Sequence, residues 1–255
     1  MSSSKPFQLD GKVALVTGSS RGIGAATARV LAEAGAHVVI SSRKQEECER
    51  VADTLRGEGL KVEAKTCHIG RMEDILAMSE HLRQVHGGLD ILVNNAVLSP
   101  WRAIEDIDPA LFAKTVDVNL RGYWFMSSEA VKLMKARGGG SIVNISSVSA
   151  LHPEKMLGLY GTLKTALIGM SRAFALEYGS FGIRANTILP GIIDTSLAGV
   201  FEGDVRDRIL TKTPVRRVGQ PDEIGYAVLY LSSPAGAFVT GASLVVDGGL
   251  SIAAL

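Results

Sequence analysis

The sequence predicts an α/β fold in which a doubly wound parallel sheet of seven strands carries helices on both faces. Two observations support that reading. Short β-branched runs alternate with longer segments of helical period, the order that strand–helix–strand crossovers produce. Most of those runs are apolar nearly throughout, as strands covered on both faces must be.

The first run, residues 12–17 (KVALVT), passes through a glycine-rich turn at 17–24 (TGSSRGIG) into a helix over 22–34. Strands at 37–41 (HVVIS) and 61–66 flank a helix over 45–57, and a helix over 72–86 leads to the strand 91–94 (ILVN). A long helical pattern spans 109–136 and stops at Gly138-Gly139-Gly140, a helix end rather than a domain boundary. Strand 141–146 (SIVNIS), helix 158–179, strand 184–189, helix 221–232 and strand 243–246 (SLVV) complete the series. No linker, repeat or low-complexity tract interrupts it. Residues 1–255 are therefore expected to form one domain with its core at about 11–249.

Composition narrows the function classes. At 46% hydrophobic and 21% charged residues, the chain has ample material for a packed core. Its net charge of +1, with no long basic run, predicts neither a nucleic-acid nor a membrane partner. Cys48 and Cys67 show neither a disulfide framework nor metal-ligand spacing, so a reducing cytoplasm and no metal site are expected. The N-terminal MSSSKPFQLDGK lacks the apolar stretch of a signal peptide, and no apolar run reaches transmembrane length.

The glycine turn has a chemical reading. Gly18, Gly22 and Gly24 permit a tight turn and close approach of a pyrophosphate. The following helix start offers unpaired N–H groups and a positive dipole end. Placed after the first strand, this is the dinucleotide loop of a Rossmann-type fold. No Gly-Lys-Ser/Thr follows, so it is not the nucleoside-triphosphate loop.

Further along, Tyr160 and Lys164 stand four residues apart in a helical segment and share a face. A phenol titrates at roughly 10, and a cation fixed beside it favours the phenolate, an arrangement suited to acid/base chemistry. The spacing alone fits a solvated helix face equally well.

With the loop, the Tyr-x-x-x-Lys pair and an upstream serine together, the sequence resembles the short-chain dehydrogenase/reductase family, in its single-domain branch, from about Gly11 to Gly249. The family's TGxxxGIG motif stands at residues 17–24, its Asn-Asn-Ala at Asn94-Asn95-Ala96, and its Pro-Gly at Pro190-Gly191, with Ile193, Thr195 and a closing Asp247-Gly248-Gly249. The family's catalytic tetrad maps onto Asn119, Ser147, Tyr160 and Lys164.

The resemblance implies a mechanism. Tyr160 protonates a ketone or aldehyde oxygen as hydride arrives, or removes the alcohol proton in reverse, while Ser147 orients that oxygen. Lys164 supports the phenolate and the nicotinamide ribose, and Asn119 holds a water that links Lys164 to solvent. Cofactor contacts are implied at Gly18, Ser20, Arg21, Gly22, Ile23, Gly24, Asn95, Ala96, Tyr160, Lys164, Pro190, Gly191, Ile193 and Thr195. Two departures stand out. Val97 replaces the glycine that usually follows Asn-Asn-Ala. His68, followed by Ile69, stands where an aspartate usually meets the adenine.

At the end of the second strand, Ser42 and Arg43 take the place of the carboxylate that would bind a ribose 2′-OH. With Arg21 they suit a 2′-phosphate, so NADP(H) is expected over NAD(H). Val97, Trp101, His152, Leu157 and Leu197 are the expected substrate lining, with Met156 beside them and Arg102 and Glu154 as polar handles. A lid is expected at about 194–213. Helices 109–136 and 158–179 carry apolar residues beyond the needs of one sheet face, among them Tyr123, Trp124, Phe125, Phe174 and Leu176; they fit packing within the chain, and the resemblance implies that they pair copies into a homotetramer or homodimer.

The expected function is an NADP(H)-dependent carbonyl reductase, acting on a ketone, aldehyde or 3-oxoacyl thioester. The alternatives are an NAD-dependent alcohol dehydrogenase of the same family and a catalytically silent nucleotide-sensing or scaffold protein.

Overall fold

Successive residues of a strand face opposite sides of its sheet, and the first strand, β1 (Val13–Thr17), is buried along its whole length. Ala14 and Val16 enter one apolar layer while Val13 and Leu15 enter another, so both faces of the sheet carry core. The computed structural model describes residues 5–195 and 210–253.

The chain continues through α1 (Gly22–Glu33), β2 (His37–Ser41), α2 (Gln45–Gly57), β3 (Val62–Ala64), α3 (Met72–His86) and β4 (Ile91–Asn94). It then forms α4 (Pro109–Val116), α5 (Gly122–Ala136), β5 (Gly140–Ile145), α6 (Gly158–Tyr178), β6 (Ile183–Pro190), α7 (Pro221–Ser232) and β7 (Ser243–Val246). The seven strands stand in the order β3-β2-β1-β4-β5-β6-β7, and every adjacent pair is parallel. The expected Rossmann-type doubly wound sheet is therefore the fold. Helices α1, α2 and α7 cover one face, through residues such as Leu31, Leu55 and Val228. Helices α3, α5 and α6 cover the other, through Met78, Met134 and Leu167. The winding reverses between β1 and β4, which opens a crevice at the carboxyl ends of those strands.

Most of the predicted segments match within two residues. The third strand is shorter than the predicted 61–66, and the helix expected over 109–136 is broken. Between α4 and α5, Asp117–Arg121 forms a π-helical turn, a widening that recurs at functional sites. It adjoins Gly122, where a Cβ would collide with the carbonyl of Ile69, so the loop after β3 presses directly on this helix.

Helix starts follow local chemistry. Asp108 accepts from the Leu111 amide ahead of Pro109, and Gln220 with Glu223 forms a capping box ahead of Pro221. In contrast, α1 has no side-chain cap: Arg21 precedes it in an extended conformation, and its first amides are left for another partner. Among the described residues, no helix is long and apolar enough to cross a membrane.

Candidate active site

The glycine turn lies at the carboxyl end of β1, packed against the end of β4. Gly18 has a φ of 66°, and a Cβ there would sit 2.7 Å from the Cα of Ala96. A Cβ on Gly24 would strike the Gly18 carbonyl and come within 2.5 Å of Asn95 Nδ2. The contact is held by hydrogen bonds the motif does not advertise. The Thr17 hydroxyl accepts from the amides of Asn95 (3.0 Å) and Ala96 (3.2 Å), and Asn95 Nδ2 donates to the carbonyls of Thr17 and Gly18. Glycines at these positions and an uncapped α1 leave a cradle of backbone amides that fits a pyrophosphate. Of the residues expected to line it, Thr195 lies beside Gly22, Ile23 follows in α1, and Pro190, Gly191 and Ile193 stand at and just after the end of β6. Ile193 is buried and bridges to Gly219, a Cβ on Gly22 would approach Thr195, and the Gly191 amide donates to Val246.

Beyond the loop, Ser20 Oγ donates to Ser42 Oγ at 3.2 Å and to Glu47 Oε2 at 3.4 Å. Arg21 and Arg43 are exposed at this end. The first turn of α2 thus brings Glu47, paired with Lys44 at 3.0 Å, beside the two serines. A sequence reading confined to the strand end misses this carboxylate. The Lys44 hydrogen bond holds Glu47 below the usual carboxylate range.

The two departures from the family pattern have structural accounts. Val97 is not among the non-glycine residues with positive φ, so its Cβ is accommodated without backbone strain. His68 Nδ1 accepts the Gly70 amide at 3.1 Å, which places the ring proton on Nε2, and its backbone N–H donates to Asp74. His68 therefore builds the turn into α3. Ile69 is buried behind it.

The four tetrad positions converge at the carboxyl ends of β4 and β5. Ser147 follows β5 and accepts from the Ser149 amide at 3.1 Å, capping a short 3-10 turn. Its hydroxyl also bonds Tyr160, while Ser149 Oγ donates to Glu154 Oε1 at 2.9 Å and lies 3.1 Å from Ser147 Oγ. A hydrogen-bonded chain thus runs from the Tyr160 phenol to an exposed carboxylate. Burial raises the Tyr160 phenol to about 12; the Ser147 hydrogen bond opposes the shift and the Glu154 charge adds to it. Lys164 is buried, donates to the Ile145 carbonyl at 2.7 Å, and is pushed down to about 7 by desolvation. Its Nζ lies 5.6 Å from the Tyr160 ring centroid and 5.3 Å from that of Tyr123.

Asn119 occupies the centre of the π-helical turn, fully buried. Its amide donates to the Leu98 and Thr115 carbonyls, and its Oδ1 accepts the Leu98 amide, so it ties the loop after β4 to the widened helix. Beneath lies a polar ladder with no sequence signature. Asn94 donates to Ser127 and Asn144, Asn144 donates to Ser171, and Ser171 meets Thr187 at 2.6 Å. It locks β4, β5 and β6 in register behind the site.

The mouth is formed by two touching loops. The Arg102 amide donates to Met156, whose φ is 67°, and a Cβ on Gly158 would lie 3.0 Å from Ile104. Val97, Trp101 and His152 are exposed there and Leu157 is buried; Leu197 and most of the expected lid lie outside the described residues. Of the side chains read as a subunit face, Tyr123 and Phe174 are instead buried within the chain, because α5 and α6 turn them onto the sheet. Trp124, Phe125 and Leu176 are exposed.

Fold and site together define a Rossmann-type oxidoreductase. A family profile described as enoyl-(acyl carrier protein) reductase matches residues 18–251. "Dehydrogenase/reductase SDR family member 4" of Bos taurus is 42% identical over 94% of this chain and 88% of its own. A gluconate 5-dehydrogenase from Burkholderia cenocepacia, solved with NADP and tartrate, superposes with a TM-score of 0.93 at 34% identity, covering 97% of this chain and 98% of its own. A 7α-hydroxysteroid dehydrogenase, solved with NADH and 7-oxo glycochenodeoxycholic acid, superposes with a TM-score of 0.92 at 33% identity, covering 98% of each. The chain belongs to the short-chain dehydrogenase/reductase family, and it is an enzyme that interconverts alcohols and carbonyl compounds with a nicotinamide cofactor.

Proposed function

We propose that this protein is an NADP(H)-dependent carbonyl reductase in which Tyr160 is the proton donor. One observation above all supports the reading. Ser147 hydrogen-bonds the buried Tyr160 phenol while Lys164 Nζ lies 5.6 Å from the Tyr160 ring, the grouping of donor, acid and cation that a reductase needs.

The residues that would hold the cofactor are the amide cradle at Gly18, Gly22 and Gly24, with Asn95 and Ala96 behind it and Ile193 and Thr195 beyond. When bound, it supplies the hydride. Ser147 orients the carbonyl oxygen and donates to it as negative charge develops, and Tyr160 gives that oxygen its proton. Lys164, titrating at about 7, passes a proton toward solvent or returns one, and Asn119 keeps the widened helix in place beside it. Tyr160→Phe is expected to lower turnover by about a thousandfold or more while dinucleotide affinity is kept. Undiminished turnover in that variant refutes the assignment.

Arg21, Ser42 and Arg43 favour a 2′-phosphate. Glu47 favours the second reading, NAD(H), because a carboxylate beside Ser20 and Ser42 suits a free 2′-hydroxyl. We place NADP(H) first because Lys44 neutralises Glu47 and two guanidinium groups remain. A 3-oxoacyl substrate on an acidic carrier needs a basic surface; of its candidate residues Arg121 and Lys132 pair with Asp117 and Glu129, while Arg172 is exposed on α6. The exposed Trp124, Phe125 and Leu176, with the apolar groove between α5 and α6, support a homotetramer or homodimer. One domain working in a reducing cytoplasm fits two buried free thiols.

A further inference from the structure

We propose that His37, Glu63 and His86, with His81 hydrogen-bonded to Glu63 beside them, form a binding site for a divalent transition-metal ion of the zinc class, at the amino-terminal edge of the sheet. The chain has five histidines, and three of them meet here. The fold assembles them in a simple way. His37 opens β2 and Val39 pairs with Glu63 of β3, so strand alternation puts His37 and Glu63 on one face. That face is covered by α3, whose last two turns carry His81 and His86.

The geometry is that of a ligand cluster. One ligand atom from each of His37, Glu63 and His86 lies within 4.8 Å of the others. Glu63 Oε1 is 2.8 Å from His81 Nε2 and 2.9 Å from His86 Nε2, and the His37 and His86 rings are 4.7 Å apart. Histidine–glutamate hydrogen bonds account for part of this. They do not account for His37, whose Nε2 is buried with no hydrogen-bond partner, a rarity for an interior polar atom. A metal ion is a partner that would satisfy it.

The donor set selects the ion. Imidazoles with one carboxylate suit zinc, nickel or copper, whereas magnesium and calcium prefer oxygen ligands throughout. The nearby cations are Lys61 and Arg137, the latter bonded to the His86 carbonyl at 3.4 Å. Catalysis occupies the opposite, carboxyl ends of the strands, so the ion would tie edge strand β3 to β2 and α3 and take no part in the reaction. Residues 37, 63, 81 and 86 share no local motif, which is why the sequence reading expects no metal.

The test is zinc titration of the tag-free, metal-stripped protein against a chromogenic chelator, with cobalt substitution to read coordination. One zinc per chain is expected, at about micromolar affinity or tighter, with the intense visible bands of four-coordinate cobalt. His37→Gln and His86→Gln should each weaken zinc binding at least about tenfold. The double variant His68→Gln/His152→Gln should bind as the parent does. Zinc should raise the unfolding temperature of the parent and leave that of His37→Gln unmoved. His37, lacking a hydrogen bond to lose, keeps the test usable if the His86 variant does not fold. Absence of saturable zinc binding, or binding that survives His37→Gln unchanged, overturns the proposal.

Discussion

The Lys164 ammonium donates to the Ile145 carbonyl at 2.7 Å, at the carboxyl end of β5. Burial pushes it down to about 7. Its unfolded pKa is near 10.5, so between about pH 7 and 10 the unfolded chain binds the extra proton and stability rises with pH. Below pH 7 the full penalty of the buried charge is felt. Lys164→Met should remove this slope, at most of order 4 kcal/mol across the window, and be at least as stable as the parent at pH 6. Denaturant titrations at several pH values check it. Turnover should be lost, because the ammonium serves the reaction and not the fold.

Burial raises the Tyr160 phenol and the Ser147 hydrogen bond opposes it, while the charge of Glu154, at the far end of the Ser147–Ser149 hydrogen bonds, adds to the rise. Carbonyl reduction needs the protonated phenol and fails above its pKa; alcohol oxidation needs the phenolate. Glu154→Gln should therefore move the basic limb of the reductive pH profile to lower pH and let oxidation begin at lower pH. Steady-state rates in both directions against pH measure this, and an unmoved profile removes Glu154 from the proton chain.

Cofactor choice should respond to two charges of opposite sign. Arg43→Glu is expected to lower the NADPH-to-NADH affinity ratio by about tenfold or more, and Glu47→Gln to raise it. Fluorescence titration with both dinucleotides measures the ratios. A ratio below one in the parent would establish the NAD(H) reading.

Gly24 illustrates a stability demand made by a binding loop. A methyl group there meets the Gly18 carbonyl and Asn95 Nδ2, both held by other bonds, so Gly24→Ala should cost about 1–3 kcal/mol. Urea unfolding reads the loss, and dinucleotide binding should fall with it.

The exposed apolar face predicts assembly. Phe125 and Leu176 are 38% and 89% exposed, so Phe125→Glu/Leu176→Glu should leave the isolated fold intact. Light scattering should show a smaller species for this variant than for the parent. A monomeric parent at micromolar concentration would remove the assembly proposal.

Much of this protein is legible in its chain. The inner strands β1, β2, β4, β5 and β6 announce themselves by buried apolar runs, the edge strands β3 and β7 less clearly because they are only partly buried, and the Rossmann loop by glycines that a methyl group would block. The tetrad positions are what the family resemblance implies, and the structure brings Ser147, Tyr160 and Lys164 together because β5 and α6 are joined by a short connection. The π-helical turn around Asn119 was hidden, since it depends on Ile69 pressing against Gly122 from a loop more than fifty residues away in sequence. Tyr123 was misassigned to a subunit face because an apolar stripe does not say which neighbour covers it.

Periodicity and motif order, which depend only on neighbouring residues, suffice for the fold class, and the family resemblance they carry singles out the acid/base pair proposed above. Proton affinities and partners do not follow from them. Lys164 falls to about 7 through complete burial, Glu47 arrives beside Ser20 through the packing of α2, and three histidines meet Glu63 at one sheet edge. Each of these depends on desolvation or on distances between segments remote along the chain, and only the folded structure sets those.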